Sequence, residues 1–356
     1  MPNVLAQIFH APNQPLQLEN WPLPQALNPG EVLVALTLAT ICGSDLHTFS
    51  GHRQEPTPCI LGHEGVGRVL QADQMRPDLT AGDRVTWSIA DSCGVCPMCT
   101  DHQLPQKCHA LFKYGHAAID DGPGLNGCYA SHIVLRSGTH IVKVPDSLPD
   151  KVIAPANCAL ATVVNAISRL PDNCQTVVIQ GAGLLGLYAC ALLHERGVPH
   201  VFCVDILEER LDQVSAFGGI PINGQPTQYP KSREKILAVA ENGVDAVLEV
   251  AGVAALVPEG MRLLRIGGYY GFVGMVHPDS RLDLTGEQII RKNLTMYGIH
   301  NYSPWHLDQA VQFLADTVHK YPYESLVSPP YALTDLPTAI DMAQSQAWFR
   351  VSVRAD

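Results

Sequence analysis

The stretch Thr176–Gly186 reads TVVIQGAGLLG, an apolar run followed at once by glycines in the spacing GxGxxG. The apolar run predicts a buried strand, and the residues after the last glycine have the pattern of a helix. At such a junction Gly181 permits a tight turn, Gly183 lets the backbone approach a pyrophosphate, and Gly186 lets helix and strand pack closely. The N–H groups that begin the helix attract phosphate. We therefore predict a dinucleotide-binding turn.

An acidic residue at the end of the next predicted strand indicates which dinucleotide binds. Asp205 lies about 20 residues past the last glycine, where a carboxylate can accept hydrogen bonds from ribose hydroxyls. Its charge would repel a 2′-phosphate, so we predict NAD rather than NADP, although Arg210 could serve a phosphate. The alternative is that the glycines are ordinary turn residues and Asp205 caps a helix. Further along, the glycines of GGYYGFVG, residues 267–274, suit a strand that the nicotinamide approaches closely. The alternative is that they are ordinary glycines of a sheet or turn. The predicted contacts are Gly181, Gly183, Leu184, Leu185, Gly186, Asp205, Arg210, Val250, Val273 and Gly274.

The sequence on either side of this turn divides into two kinds of region. Over residues 158–302 apolar strands alternate with helical stretches, which indicates βαβ units and a doubly wound parallel sheet. Residues 1–157 carry short β-rich runs broken by Gly, Pro and Asp, and residues 303–356 return to this region. We predict an α/β protein with a β-rich domain over 1–157 and 303–356 and a dinucleotide-binding domain over 158–302.

Length and charge exclude several classes of function. The 356 residues suit two domains, because single cores stop growing near ~250–300 residues. A net charge of −11 without a basic stripe argues against nucleic acid or an anionic membrane as partner. No window approaches the ~20 apolar residues that span a bilayer, and no secretory signal is visible. We expect a cytoplasmic protein.

Four closely spaced cysteines form the run CGVCPMCTDHQLPQKC. Cys93, Cys96, Cys99 and Cys108 would repel one another as thiolates unless a cation neutralised them, and zinc ligated by four sulfurs is the usual solution. With every coordination position filled by protein, such a zinc is structural. A disulfide pair or free thiols are the alternatives.

A second set of possible metal ligands is dispersed along the chain. It comprises Cys42 in ATICGSDLH, His63 and Glu64 in ILGHEGVG, and Cys158 in APANCALAT. Two cysteines and one histidine are a known ligand set for a catalytic zinc that keeps one position open. Taken singly, a buried Cys or His is ordinarily a packing residue.

Together these motifs place the chain within a recognised group of proteins. CGSDLH, LGHEGVG, the four-cysteine run, PANCALAT and GAGLLG occur in the order seen in the zinc-containing medium-chain dehydrogenase/reductase (alcohol dehydrogenase) superfamily, which the chain resembles over nearly its whole length. The resemblance implies a GroES-like catalytic domain with a Rossmann domain inserted before its last segment. It implies that Cys42, His63 and Cys158 bind the catalytic zinc and that Glu64 ligates it transiently.

The resemblance also implies roles for residues around that zinc. Asp45 matches the partner that orients His63, and Ser44 and His47 match a relay that carries the alcohol proton to solvent. Ser44 as a helix cap and His47 as a surface residue are the alternatives. Arg350 in WFRVSVR matches a pyrophosphate contact. A homodimer or homotetramer is the family expectation.

One subgroup of the superfamily is a closer match. The stretches LPQKCHALFKYGH and GSDLHTFSGHRQEPTPCILGHE are similar to the alcohol dehydrogenases associated with phosphonate catabolism. This similarity implies an anionic substrate held by local cations or helix N-termini. The candidate residues are His52, Arg53, Lys113 and His116, for which solvated loop charge is the alternative.

The predicted function is hydride transfer between a small alcohol, such as a hydroxyalkylphosphonate, and NAD, with two zinc ions per chain. The alternatives are a polyol, threonine or aromatic-alcohol dehydrogenase of the same superfamily and, in another class, a non-catalytic dinucleotide-binding redox sensor. Five cysteines have no assigned chemistry, and we expect them to be buried: Cys59, Cys128, Cys174, Cys190 and Cys203.

Overall fold

The computed structural model describes residues 3–122, 124–277 and 280–355. The chain forms two compact units. The first comprises Met1–Cys158, Ser303–His319 and Tyr323–Asp356, and the second comprises Ala159–Tyr302 and Lys320–Pro322.

The strands of the described residues run, in chain order, β1 Asn3–Phe9, β2 Gln17–Pro22, β3 Val32–Ile41, β4 Cys59–Ile60, β5 Glu64–Ala72, β6 Arg84–Asp91, β7 Phe112–Lys113, β8 His132–Leu135, β9 Thr139–Lys143, β10 Thr176–Gln180, β11 His200–Asp205, β12 Ile220–Asn223, β13 Val244–Glu249, β14 Leu264–Phe272, β15 Thr295–Gly298, β16 Tyr331–Ala332 and β17 Val351–Arg354. The α-helices are α1 Gly43–Phe49, α2 Pro97–Thr100, α3 Asp150–Ile153, α4 Ala161–Ile167, α5 Leu184–Glu195, α6 Glu208–Val214, α7 Tyr229–Val239, α8 Val257–Leu263, α9 Gly286–Lys292, α10 Pro304–Thr317 and α11 Leu336–Gln344. One turn of π-helix covers Ala156–Leu160, and 3₁₀ turns cover Pro105–Lys107, Ser215–Phe217, Ala254–Leu256, Tyr323–Leu326 and Leu333–Asp335.

The second unit is built on a six-stranded sheet in the order β12-β11-β10-β13-β14-β15, in which every pairing is parallel. Strands β10 and β13 at its centre are buried along nearly their whole length. A strand covered on both faces needs apolar residues at successive positions. For this reason TVVIQ and VDAVLE show no clear alternation of apolar and polar residues. Val178, Val247 and Tyr270 are fully buried in the core of this unit.

The first unit contains two sheets. The larger has the order β16-β17-β3-β5-β6-β7, with β8 also paired to β3 and β9 to β6, and the smaller has the order β2-β1-β4. Strands β3 and β5 are antiparallel, with Thr40 opposite Glu64. The end of β3 therefore lies beside the start of β5, and this pairing brings Cys42 next to His63.

The observed architecture is the predicted α/β class, a β-rich region combined with a parallel-sheet unit wound from βαβ connections. Within the described residues, none of the helices has both the length and the apolar character needed to cross a membrane.

Candidate active site

The four clustered cysteines form a compact sulfur group in the first unit. The Sγ atom of Cys96 lies 3.6 Å from that of Cys99 and 3.8 Å from that of Cys108. The Sγ atoms of Cys93 and Cys108 are 3.4 Å apart. Four sulfurs each ~2.3 Å from one zinc would stand ~3.8 Å from one another. The spacing therefore fits a tetrahedral zinc.

The local fold explains how these thiols meet. Cys96 begins the short helix α2, Cys99 lies within it, and the 3₁₀ turn Pro105–Lys107 leads directly to Cys108. Strands β6 and β7 pair antiparallel and close the loop. The N–H of His109 lowers the pKa of Cys96 to about 6, which favours the thiolate that a metal needs.

The dispersed ligands converge in a second group. One donor atom from each of Cys42, His63, Glu64 and Cys158 lies within 4.8 Å of the others. His63 and Glu64 are buried, and Cys42 is 9% exposed. Two thiols, an imidazole and a carboxylate at this separation form a ligand set suited to zinc.

Asp45 organises two members of this group. Its Oδ1 lies 3.2 Å from Nδ1 of His63, which leaves Nε2 as the ring nitrogen available to a metal. Its Oδ2 accepts hydrogen bonds from the backbone N–H of Cys42 and the hydroxyl of Tyr129, both at 2.9 Å. Tyr129 is a partner that sequence reasoning missed, because it lies 84 residues from Asp45.

The pKa values of the group reflect crowded negative charge in a buried place. The hydrogen bond with the Cys158 thiol lowers the pKa of Cys42 well below its usual value. The charge of Arg350 lowers this pKa further, while burial acts in the opposite direction. Burial raises the pKa of Glu64 to about 7, against the pull of Arg350. Burial alone would lower the pKa of His63, but the charges and hydrogen bonds of Asp45 and Cys42 together outweigh it and raise this pKa to about 10. A divalent cation would relieve the same crowding, so the donor set fits a metal in charge as well as in spacing.

Arg350 is held by Glu64. Its Nε donates to Oε2 of Glu64 at 2.9 Å and its Nη2 to Oε1 at 3.2 Å, and Nη2 also lies 3.7 Å from Sγ of Cys42. Thr40 donates a further hydrogen bond to Glu64 at 2.6 Å. The family resemblance assigned Arg350 to the cofactor pyrophosphate, whereas in the structure this side chain pairs with Glu64 beside Cys42.

The predicted proton relay lies on helix α1. Ser44 and His47 are three residues apart on this helix and so lie on the same face. Ser44 is half-buried and His47 is exposed, as a path from a buried site to solvent requires. The rings of His47 and His52 are 6.1 Å apart, and Nδ1 of His52 lies 2.9 Å from the hydroxyl of Ser50.

Three of the four predicted substrate residues lie around one carboxylate. Glu55 is 2.5 Å from Nε of Arg53 and 2.9 Å from Nδ1 of His116, and it also interacts electrostatically with Lys113. The ring of His116 lies 5.0 Å from that of His63, so the group borders the second metal cluster. His52, the fourth, is exposed and lies beside His47 instead. Glu55 was not predicted from the sequence, because it is a single acidic residue in a loop of mixed composition.

This group carries net positive charge near the metal cluster. Burial lowers the pKa of His116 to about 4 despite its hydrogen bond with Glu55, so this ring is neutral. Burial, together with the charge of Arg53, lowers the pKa of Lys113 to about 8. At neutral pH two cations therefore stand against one carboxylate.

The glycine turn in the second unit has the predicted conformation. Gly181 adopts a φ of 115°, and a Cβ at Gly186 would stand 1.9 Å from the Gly181 carbonyl oxygen. Gly183 caps the start of α5, whose first residues are Leu184 and Leu185. The free N–H groups of this helix end can bind a phosphate.

Asp205 supports the turn directly. Its Oδ2 accepts the Ala182 N–H at 2.8 Å, and its Oδ1 accepts those of Ile206 and Leu207 at 2.7 and 3.0 Å. Nη1 of Arg210 lies 3.8 Å from the same carboxylate.

The other predicted cofactor residues follow strands β13 and β14. Val250 donates its N–H to Gln180, while the N–H groups of Val273 and Gly274 both donate to the Glu249 carbonyl. The buried carboxylate of Glu249 accepts from the Gly252 N–H at 2.6 Å. Glu249, unassigned in the sequence, thus ties the loops after β13 and β14 together.

The five unassigned cysteines, Cys59, Cys128, Cys174, Cys190 and Cys203, are all buried and free of disulfides.

Comparison with known proteins gives matches to both halves of the chain. Residues 28–146 match the family model of the alcohol dehydrogenase GroES-like domain, and residues 185–316 match that of zinc-binding dehydrogenases. The 5-exo-hydroxycamphor dehydrogenase of Pseudomonas putida is 28% identical over 347 residues, 93% of this chain and 94% of that protein. The L-threonine 3-dehydrogenase of Streptomyces avermitilis is 28% identical over 292 residues, 80% of each chain. A crystal structure of an alcohol dehydrogenase from Thermotoga maritima superposes with a TM-score of 0.94 at 29% identity and covers all of both chains.

Proposed function

We propose that this chain, which belongs to the zinc-containing medium-chain alcohol dehydrogenase superfamily, transfers a hydride between a small alcohol and NAD and holds two zinc ions. The convergence of Cys42, His63, Glu64 and Cys158 within 4.8 Å carries this proposal. Such a ligand set has no use in a protein that only binds a dinucleotide.

The two metal groups have different roles in this proposal. Cys93, Cys96, Cys99 and Cys108 hold a structural zinc, since four thiolates leave no position for substrate. Cys42, His63 and Cys158 hold the catalytic zinc, which supplies a Lewis acid that lowers the pKa of an alcohol.

The surrounding side chains position the reactants and move the proton. Asp45 holds the ring of His63 through Nδ1, which would leave Nε2 to bind the zinc. Ser44 accepts the hydroxyl proton of the alcohol, and His47 passes it to solvent. Arg350 and Thr40 hold the carboxylate of Glu64 in place. For Glu64 to bind the zinc transiently, its ion pair with Arg350 must first break.

NAD is the proposed cofactor. The start of α5 binds the pyrophosphate, and Asp205 accepts a hydrogen bond from the adenine ribose. Val250, Val273 and Gly274, on loops joined by Glu249, are proposed to contact the nicotinamide.

The proposed substrate is a small alcohol with an anionic group, such as a hydroxyalkylphosphonate. Two cations, Arg53 and Lys113, interact with Glu55. They lie near the proposed zinc ligands, because the ring of His116, another partner of Glu55, lies 5.0 Å from that of His63. Charge-assisted hydrogen bonds from these groups would recognise a phosphonate. A polyol or threonine is the rival substrate, because the relatives include a probable D-xylulose reductase and L-threonine 3-dehydrogenases.

A substrate panel tests the proposal. NADH formation is measured with hydroxyalkylphosphonates, with neutral alcohols of matched carbon skeleton, and with polyols and threonine. We expect the highest kcat/KM for a phosphonate, and an Arg53→Ala variant should raise its KM by about 10–100-fold, as expected for a lost charge-assisted hydrogen bond of ~1.5–3 kcal/mol. Arg76→Ala is the control, because Arg76 is likewise paired with a carboxylate two residues along the chain, that of Asp78. Equal or better turnover of the neutral alcohols contradicts the phosphonate assignment, and absence of any NAD-linked turnover contradicts the dehydrogenase itself.

We also propose a homodimer or homotetramer, because β15 is the last strand in the order of its sheet. A cytoplasmic location is part of the same proposal.

A further inference from the structure

Asn157 lies immediately before Cys158 in the single turn of π-helix, Ala156–Leu160. Its side chain is fully buried. π-helical turns are rare and occur often at functional sites. A buried amide in such a turn, next to a proposed metal ligand, calls for a physical explanation.

The amide of Asn157 joins three separate segments. Its Nδ2 donates hydrogen bonds to the carbonyl oxygens of His63 and Trp87, both at 3.0 Å. His63 is a second proposed zinc ligand, and Trp87 lies in the buried strand β6. One side chain therefore connects the loops that carry Cys158 and His63 to the sheet behind them.

We propose that Asn157 is a positioning residue that sets the separation of Cys158 and His63 as zinc ligands. The inference rests on the proposed function, since it requires a metal at that group. A carboxamide is suited to this task because its NH₂ carries two donors, which here meet two carbonyl acceptors. Leucine has the same branched arrangement of side-chain heavy atoms, although it is bulkier, and would leave both buried carbonyls without these hydrogen bonds.

The test compares the release of zinc from three proteins. The parent chain, Asn157→Leu and Asn126→Leu are loaded with zinc, checked for native circular dichroism, and mixed with a chelator and a zinc-binding dye. Asn126 is a matched control, since it is also fully buried in the first unit and its Nδ2 donates to the carbonyl oxygens of Ala118 and Asp121 at 2.9 and 3.5 Å. The zinc of the four-cysteine group serves as an internal standard in each protein.

We expect Asn157→Leu to release the more labile zinc about 10–100-fold faster than the parent, the usual cost of losing a residue that supports a metal ligand. Asn126→Leu should release it at the parental rate. With Co²⁺ in the site, the visible absorption bands should shift in Asn157→Leu alone, because they report ligand geometry. Asn157→Ala serves the same comparison if the leucine variant does not fold.

Equal release rates in all three proteins, or equal acceleration in both asparagine variants, would overturn the inference. Failure of the proposed function looks different: the parent chain itself would then bind only one zinc, or none that a chelator removes.

Discussion

Asp205 holds the glycine turn and is also the residue proposed to select the cofactor. Three backbone N–H groups, including that of Ala182, already donate to its carboxylate. An ionised carboxylate offers about four acceptor sites, so capacity remains for one ribose hydroxyl. The same negative charge disfavours a 2′-phosphate by electrostatic repulsion.

Replacement of this carboxylate should therefore change the preference between the two dinucleotides. We expect Asp205→Ser to lower the ratio of kcat/KM for NAD to that for NADP by at least about tenfold, equivalent to ~1.4 kcal/mol. Asp212→Ser, which removes an exposed carboxylate from α6, should leave the ratio unchanged. Steady-state kinetics with both cofactors decide the matter, and an unaltered ratio in Asp205→Ser would assign the selection to another residue.

If Lys113 binds the anionic group of the substrate, the KM of anionic substrates should depend on pH in a way that the KM of neutral ones does not. Burial lowers its pKa to about 8, so the ammonium loses its proton as the pH rises through about 8, well below the usual range of lysine. Attraction for an anion is thus present below pH 8 and lost above it. We expect the KM of a hydroxyalkylphosphonate to rise several-fold more between pH 7 and pH 9 than that of a neutral alcohol, the range being set by this pKa. The profile should flatten in Lys113→Met, and parallel profiles for both substrates in the parent would remove Lys113 from the anion site.

At the level of elements, the four-cysteine loop is a local structure that we propose to be held by its zinc. The interval between Cys99 and Cys108 is the longest between successive cysteines of this loop. In the structure Gln103 takes a φ of 53° and the 3₁₀ turn Pro105–Lys107 follows. These features accommodate the length and bring the Cys108 sulfur within 3.4 Å of Cys93.

Loss of one of these sulfurs should therefore release one zinc and loosen the loop. For Cys108→Ser we expect one zinc per chain and an unfolding temperature lower by on the order of 5–10 °C, from a few kcal/mol at ~2–4 °C per kcal/mol. Cys174 is a buried cysteine outside both clusters, so Cys174→Ser should keep two zinc ions per chain. Elemental analysis and calorimetry measure the two effects, and two zinc ions retained in Cys108→Ser would refute the assignment.

The elements also show which features the sequence could predict. The turn from Gly181 to Gly186 and the four-cysteine loop are predictable because their residues are neighbours in the chain and the chemistry follows from spacing. The parallel sheet is predictable because burial on both faces imposes continuous apolar runs. The pair of Arg350 with Glu64 spans 286 residues and depends on the pairing of β17 and β5 with β3, which no local pattern specifies. The contacts of Glu55 with Arg53 and His116 likewise depend on the conformation of a loop, which no local pattern specifies.

For the whole molecule, membership of the superfamily confirms the predicted combination of a GroES-like and a Rossmann domain. Motif order along the chain carried that prediction, because each motif is short but their succession is specific. Substrate identity does not follow from motif order, since it depends on a few side chains in loops. Assembly is the remaining whole-molecule property, and we propose that it uses the β15 edge of the parallel sheet.

That edge provides the last prediction. Strand β15 has Thr295 and Gly298 exposed, and a Cβ at Gly298 would meet nothing within 4 Å. Lysine at both positions is therefore tolerated within one subunit, whereas two such strands paired across a symmetry axis would bring like charges together. We expect the parent to show a mass of two or four times 38.6 kDa by light scattering, and Thr295→Lys/Gly298→Lys to show a lower-order species. A double variant at exposed positions before α7, Thr227→Lys/Gln228→Lys, controls for added charge. If the edge variant keeps the parental mass, the subunits associate through another surface, because an edge-to-edge sheet could not accommodate four lysines.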